Sequence, residues 1–145
     1  MRDASRGDFP HFLTIATRWA DNDAYRHVNN VVYYSWFDTA VNEFLIRRGV
    51  LDIERDEAVG LVVDTGCSYF SSVTFPDVVH VGLRVAKLGN SSVRYELAIF
   101  RNDDGKPAAA GHFVHVYVDR ASNRPVPVPE HVRSLLATIS AGNPQ

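Results

Sequence analysis

At 145 residues the chain has room for one domain with a sizeable core, and too little for two ordinary ones. Hydrophobic residues at 46% and charged residues at 22% exclude a disordered segment, and a net charge of −2 excludes the basic field that nucleic acid or an anionic membrane would require. One cysteine, Cys67, excludes an internal disulfide and suits a reducing cytoplasm, where the protein is expected.

The opening "MRDASRGDFP" carries both charge signs and no apolar segment, so no signal peptide is expected, and no apolar run approaches bilayer length. Residues 11–19, "HFLTIATRW", alternate so that Leu13, Ile15 and Trp19 face inward on a strand. From about Asn30 to Arg48 the spacing changes to threes and fours. Tyr33, Phe37, Ala40, Val41, Phe44 and Leu45 then form the buried stripe of an amphipathic helix. Asn29 or Asn30 caps it, Arg47 and Arg48 suit its C-terminal end, and Gly49 stops it.

Four strand-like stretches follow. "GLVVDTGCSYFSSVTF" (60–75) has Gly66 as its expected bulge or bend. In residues 77–88, Val79, Val81, Leu83 and Val85 share a face; in residues 91–101, Val93, Tyr95, Leu97 and Ile99 do. Gly89-Asn90 and Asp104-Gly105 mark turns, residues 107–119 read as the last strand, and "RPVPVP" is an extended connector. A short helix over Glu130–Ser140 turns Val132, Leu135, Leu136 and Ile139 inward. One long helix against hairpin-linked strands is an α+β arrangement with a mostly antiparallel sheet of about five strands.

Between the first strand and the long helix lies "RWADNDAYRHVNN" (18–30), with two aspartates, a tyrosine, a histidine and two asparagines in a short span. Together with "VVYYSWFDTAVNEFL" it resembles the opening of the hotdog-fold acyl-CoA thioesterases, the 4-hydroxybenzoyl-CoA thioesterase-like family. That resemblance continues through "VRYELAIF" and the proline connector over roughly residues 9–139 of a single domain spanning 1–145. It implies a long "sausage" helix wrapped by an antiparallel "bun", and hydrolysis of an acyl-CoA to free acid and CoA. One departure is Arg26, where the family commonly has glycine; a left-handed backbone there would strain an arginine.

The resemblance carries the catalytic carboxylate onto Asp23. A thioester carbonyl is electrophilic and its thiolate leaves readily, so a carboxylate can attack directly or activate water. Asp21 is read as holding the turn by accepting backbone amides. The family's oxyanion donor maps onto the amide of Asn30 or Val31, at a helix start where N–H groups are free and the dipole is favourable. Asn30 is equally a plain helix cap. His27 is expected to order the Asp23 loop by hydrogen bonding, Tyr25 is either lid or packing, and Asp38 is a rival carboxylate expected in a buried hydrogen-bonding role. Tyr33, with neighbouring aromatic residues, is a candidate for the acyl pocket.

The turn that meets CoA phosphates in relatives corresponds here to Lys87, Gly89, Asn90, Ser91 and Ser92. His112 and His115 fall on opposite faces of one strand, and no Cys/His framework with zinc spacing exists, so no metal is expected. Ser71, Ser72 and Cys67 lack the context of a nucleophile elbow. No cofactor is expected beyond the CoA of the substrate, and a homodimer or homotetramer with the site at a subunit interface is implied. A non-catalytic acyl-CoA binder on the same fold is the alternative, and a hydratase lacks its histidine–acid pair here.

Overall fold

The computed structural model describes residues 1–140. Its elements are β1 (His11–Ala16), α1 (Asn30–Arg47), β2 (Ala58–Tyr69), β3 (Val78–Leu88), β4 (Ser92–Arg101), β5 (Ala109–Asp119) and α2 (Glu130–Ala137), with single 3-10 turns at Arg6–Asp8 and Trp19–Asp21. The five strands form one antiparallel sheet in the order β1-β3-β4-β5-β2. The long helix packs against one face of that sheet, which is the hotdog arrangement expected from the sequence.

Alternation and helical spacing account for the core. Val79, Val81, Leu83 and Val85 of β3 and Val93, Tyr95, Leu97 and Ile99 of β4 are buried as predicted, against Tyr33, Phe37, Ala40, Val41, Phe44 and Leu45 of α1. Trp36 joins that stripe, stacked edge-on to Tyr33 at 4.9 Å, because the burial arc of α1 is wider than its sequence pattern indicated. Gly49, at φ 75°, ends the helix in the left-handed conformation that glycine adopts without a Cβ penalty. Gly111 of β5 lets α1 come close: a Cβ there would stand 2.7 Å from the Phe37 ring and overlap the Gly66 carbonyl oxygen.

Several expectations are corrected. β1 stops at Ala16, and Trp19 lies in a 3-10 turn with 77% of its surface exposed rather than facing inward. β2 stops at Tyr69 instead of 75, because the amides of Phe70 and Ser71 both turn to the Ala108 carbonyl (2.8 and 3.0 Å). The register shift in β2 falls between Val62 and Asp64, not at Gly66; the His112 ring lies over Gly66 instead, 2.8 Å from where its Cβ would be. α2 ends at Ala137, and Ser140 forms a parallel bridge with Val85.

His115 and His112 do face opposite ways. His112 bonds to Asp64 at 3.0 Å, whereas His115 is buried beside Tyr95. Burial holds the His115 imidazolium below its ordinary pKa of 6.5, with Asp38 opposing weakly; burial does the same to His11, which Glu43 opposes and Arg48 reinforces. The unfolded chain therefore protonates first, and the stability that these neutral rings contribute is present above pH 6.5 and lost as pH falls toward their folded values. His115→Phe is expected to reduce the loss of stability between pH 7 and 5, by up to about 1.4 kcal/mol per pH unit in that window. Urea midpoints measured across that range check this; an unchanged pH slope would mean that His115 is not held neutral.

Candidate active site

The segment before α1 is a tight hairpin. Asn22 and Val28 bridge antiparallel, the Asp23 amide donates to the His27 carbonyl at 2.8 Å, and the Arg26 amide donates to the Asp23 carbonyl at 3.0 Å. Arg26 then has φ 67°. A turn closed by a left-handed residue is the three-residue hairpin loop with a G1 bulge, a position suited to glycine. The left-handed backbone is thus present in this chain, with arginine in it.

Residues 73–75 clamp this hairpin from outside. The Thr74 hydroxyl donates to the Arg26 carbonyl at 2.7 Å, the Val28 amide to the Val73 carbonyl at 2.8 Å, and the Phe75 amide to Asn22 Oδ1 at 3.1 Å. Arg26→Gly should relieve the side-chain strain and raise stability by about 1 kcal/mol. A urea midpoint that does not rise would show that these clamps, not the backbone preference, set the conformation.

The two aspartates do different work. Asp21 is buried, and its carboxylate accepts the Arg18 amide at 2.7 Å and the Arg18 guanidinium at 3.0 and 2.7 Å. Its carbonyl also accepts the Asn29 amide at 2.9 Å, which ties this turn to the helix start. Asp23 is half-buried in the hairpin; its Oδ1 accepts the Tyr25 amide at 2.8 Å, and its Oδ2 has no partner among the described residues. The Tyr25 ring is 81% exposed. The His27 ring makes no hydrogen bond with the described residues; its backbone carbonyl, rather than the imidazole, orders the loop.

At the helix start Asn29 is the cap. Its Oδ1 accepts the Val31 amide at 3.1 Å and its carbonyl accepts the Val32 amide at 2.9 Å. The Val31 N–H is therefore occupied. Of the two expected oxyanion donors, the Asn30 amide is the one without a partner among the described residues. Beside it opens a cavity of about 290 Å³ whose lining includes His27, Asn30, Tyr33, Tyr69, Ser71 and Ser72. Asp23 is in the adjoining hairpin and does not line this cavity within one subunit.

Sequence reasoning missed Tyr69 and set Ser71 and Ser72 aside. All three reach the cavity because β2 leaves the sheet after Tyr69, a departure that the β-rich composition of the stretch concealed. The Tyr69 hydroxyl donates to the Asn30 carbonyl at 3.1 Å, and its ring meets Tyr33 edge-on at 5.0 Å. Burial pushes the Tyr33 hydroxyl up to about 12 and the Cys67 thiol up to about 11, so both keep their protons at neutral pH.

The residues assigned to CoA phosphates lie elsewhere. β3 begins at the hairpin end, where the Thr17 amide reaches the Asp77 carbonyl at 3.2 Å, and carries the chain roughly 33 Å to Lys87 and Leu88. There the Gly89 amide donates to the Ser92 carbonyl at 2.8 Å, and the Arg133 guanidinium donates to the carbonyls of Gly89 and Asn90 at 2.7 and 3.0 Å. Ser91 accepts the Tyr117 amide at 2.8 Å. This turn is packed against α2 and does not meet Asp23 within a subunit. Asp38 is exposed on α1, not buried, and accepts Asn42 Nδ2 at 3.0 Å. Among the described residues no group of three or more His, Cys, Asp or Glu gathers where a metal ion would fit.

Known proteins share this fold. The chain is 54% identical to the PA5185 protein of Pseudomonas aeruginosa strain PAO1, whose crystal structure superposes with a TM-score of 0.92 over 97% of this chain and 98% of that one. It is 32% identical to a thioesterase of Thermus thermophilus crystallised with coenzyme A and Zn, with a TM-score of 0.77 over 94% and 98% of the two chains. It is also 23% identical to the YsmA protein of Bacillus subtilis (strain 168), over 81% of this chain and 79% of that protein. Residues 17–136 match the thioesterase-like superfamily, and the chain belongs to that superfamily.

Proposed function

We propose that the protein hydrolyses an acyl-CoA thioester to a free acid and CoA. The observation that carries this reading is the unpartnered Asn30 amide, at the start of an 18-residue helix, on a cavity adjoining the Asp23 hairpin. As a nucleophile or activated water attacks the thioester carbon, negative charge collects on the carbonyl oxygen. A main-chain N–H backed by the helix dipole stabilises that charge where it develops. Asp23, with one carboxylate oxygen free, supplies the attacking group or takes the proton from water. The C–S bond then breaks and CoA leaves as thiolate. The water route yields the free acid at once, whereas direct attack leaves a mixed anhydride on Asp23 that water then hydrolyses to the acid and the free carboxylate.

The Tyr69 hydroxyl polarises the Asn30 carbonyl and holds the first helical turn in place, and Tyr33 forms the apolar wall for the acyl group. The protonated Cys67 thiol is no competitor as nucleophile. His27 lines the cavity beside Asn30, and we assign the exposed Tyr25 ring of the same hairpin to cover it.

We assign a homodimer or homotetramer, with a second copy covering the edge of the sheet. That edge is β2, which pairs on one side and exposes Leu61, Val62 and Val63 over 45%, 46% and 60% of their surfaces. The turn at Lys87–Ser92 is too distant to serve its own subunit's hairpin, so we assign its phosphate contacts to a neighbouring subunit's site. The reading places the protein in the cytoplasm, where acyl-CoA and a reduced Cys67 coexist.

The test is purified protein with aromatic, short-chain, long-chain and charged acyl-CoAs and a thiol reagent. Thiol release from at least one class is expected. Tight acyl-CoA binding without release would instead make the protein a non-catalytic binder, and neither binding nor release would end both readings.

A further inference from the structure

At the other end of α1 a larger cavity, of about 540 Å³, opens among Leu45, Leu51, Gly60, His115, Tyr117 and Val132. Leu45 lies about 22 Å along the helix axis from Asn30, so this space is not the cavity of the hairpin site. Its volume is that of an ordinary small-molecule pocket, and its walls are mainly aliphatic and aromatic.

One wall carries an unsatisfied polar group. His115 is 4% exposed, and its Nε2 is sealed without a hydrogen-bond partner among the described residues. Tyr95, whose ring lies 5.4 Å from the imidazole, likewise buries a hydroxyl without a partner. A buried polar group left unpaired costs about 1–3 kcal/mol, and a phenylalanine would avoid it.

Gly60 explains what the imidazole faces. A Cβ at this position would stand 3.1 Å from His115 Nδ1 and 3.4 Å from the Tyr117 ring, so the missing side chain keeps that nitrogen uncovered. A neutral imidazole carries one N–H and one lone pair. Sealing a lone pair costs less than sealing an N–H, which places the proton on Nδ1, toward Gly60 and the cavity. Two guanidinium groups line this cavity: Arg120 donates to the Ile53 and Glu54 carbonyls, and Arg55 lies 3.9 Å from Asp52. Asp56 and Glu57 also line this cavity, and Asp38 and Asp56 lie close enough to act electrostatically on His115 and Tyr117. With the charges of the lining balanced, an anion would lose its hydration here and meet no net positive charge in return.

We propose that this cavity binds a neutral, mainly apolar small molecule through one oxygen that accepts a hydrogen bond from His115 Nδ1. Amides, esters and ketones of compact hydrocarbon groups are the matching class. The proposal does not depend on the thioesterase reading, since it concerns the opposite end of the helix and needs no turnover.

The experiment is ¹⁵N NMR of histidine-labelled protein titrated with octanamide and cyclohexanecarboxamide, with octanoate as the charged counterpart. In the free protein His115 should show the Nδ1–H tautomer. The amides should shift its ring resonances saturably, and octanoate should bind at least tenfold more weakly at pH 7. His115→Phe should keep or raise the melting temperature while weakening amide binding at least tenfold. Gly60→Ala, which covers Nδ1, should weaken it as well. An Nε2–H tautomer, no response to either amide, equal affinity for octanoate, or undiminished binding by His115→Phe would each overturn the proposal. The wild-type spectra decide it even if neither variant folds.

Discussion

Replacing Asp23 with asparagine is expected to lower kcat about 10³-fold, within the range for losing a nucleophile or general base, with KM and melting temperature near wild type. The variant keeps the local fold, because the hydrogen bond that Asp23 makes in the hairpin uses Oδ1 as an acceptor from the Tyr25 amide, and an asparagine carbonyl oxygen serves equally well. What disappears is the charge on the free oxygen. Steady-state thiol release with the best acyl-CoA measures the effect. Asp38→Ala is the control: Asp38 is exposed and bonded to Asn42 one helical turn away, so its removal should leave kcat within about twofold. If Asp23→Asn turned over like wild type while Asp38→Ala did not, the catalytic roles of the two carboxylates would be reversed.

Gly111→Ala is expected to cost about 3 kcal/mol, the upper end of the usual penalty for overpacking a core. One methyl group would have to occupy space already held by the Gly66 carbonyl and by the Phe37 ring, at 2.7 Å. The first of these belongs to the paired strand, so rotamer change alone cannot clear it; β2 must move away from β5, and Phe37 or the helix that carries it must yield as well. For a chain of this length the melting temperature should fall by roughly 10 °C. Gly105→Ala, in an open turn with nothing near its Cβ, should be nearly neutral by the same measurement. Equal, small effects at both glycines would show that the helix–sheet approach at Gly111 is not tight.

The two variants probe one construction from opposite directions. The helix is held close to the sheet at Phe37, and that docking fixes where its first turn, with the Asn30 amide, meets the loop after β2. A lifted helix should therefore lower activity in Gly111→Ala beyond what its unfolded fraction explains.

Local chemistry was enough for much of this. Alternation of Val79 through Val85 and of Val93 through Ile99 could be satisfied by strands with one buried face, and the spacing from Tyr33 to Leu45 by a helix with one buried side. Gly49 marked the helix end because its conformation is available to few other residues. The motif around Asp21, Asp23 and Asn29–Asn30 drew attention to the end of α1 where the Asn30 amide faces a cavity. Trp19 misled, since its parity fitted a strand that the Trp19–Asp21 turn had already ended.

Only the tertiary structure decided the rest, because each remaining question concerned partners distant in sequence. Which amide at the helix start is free depends on the Asn29 side chain taking the Val31 N–H, and the cavity there exists because the Ala108 carbonyl draws Phe70 and Ser71 out of β2. That the Lys87–Ser92 turn stands far from Asp23 follows from the length and direction of β3, and the burial of His115 opposite the bare backbone of Gly60 from the pairing of β2 with β5. A sequence records what each residue prefers nearby; which groups are left without partners is settled when the strands and helix close on one another.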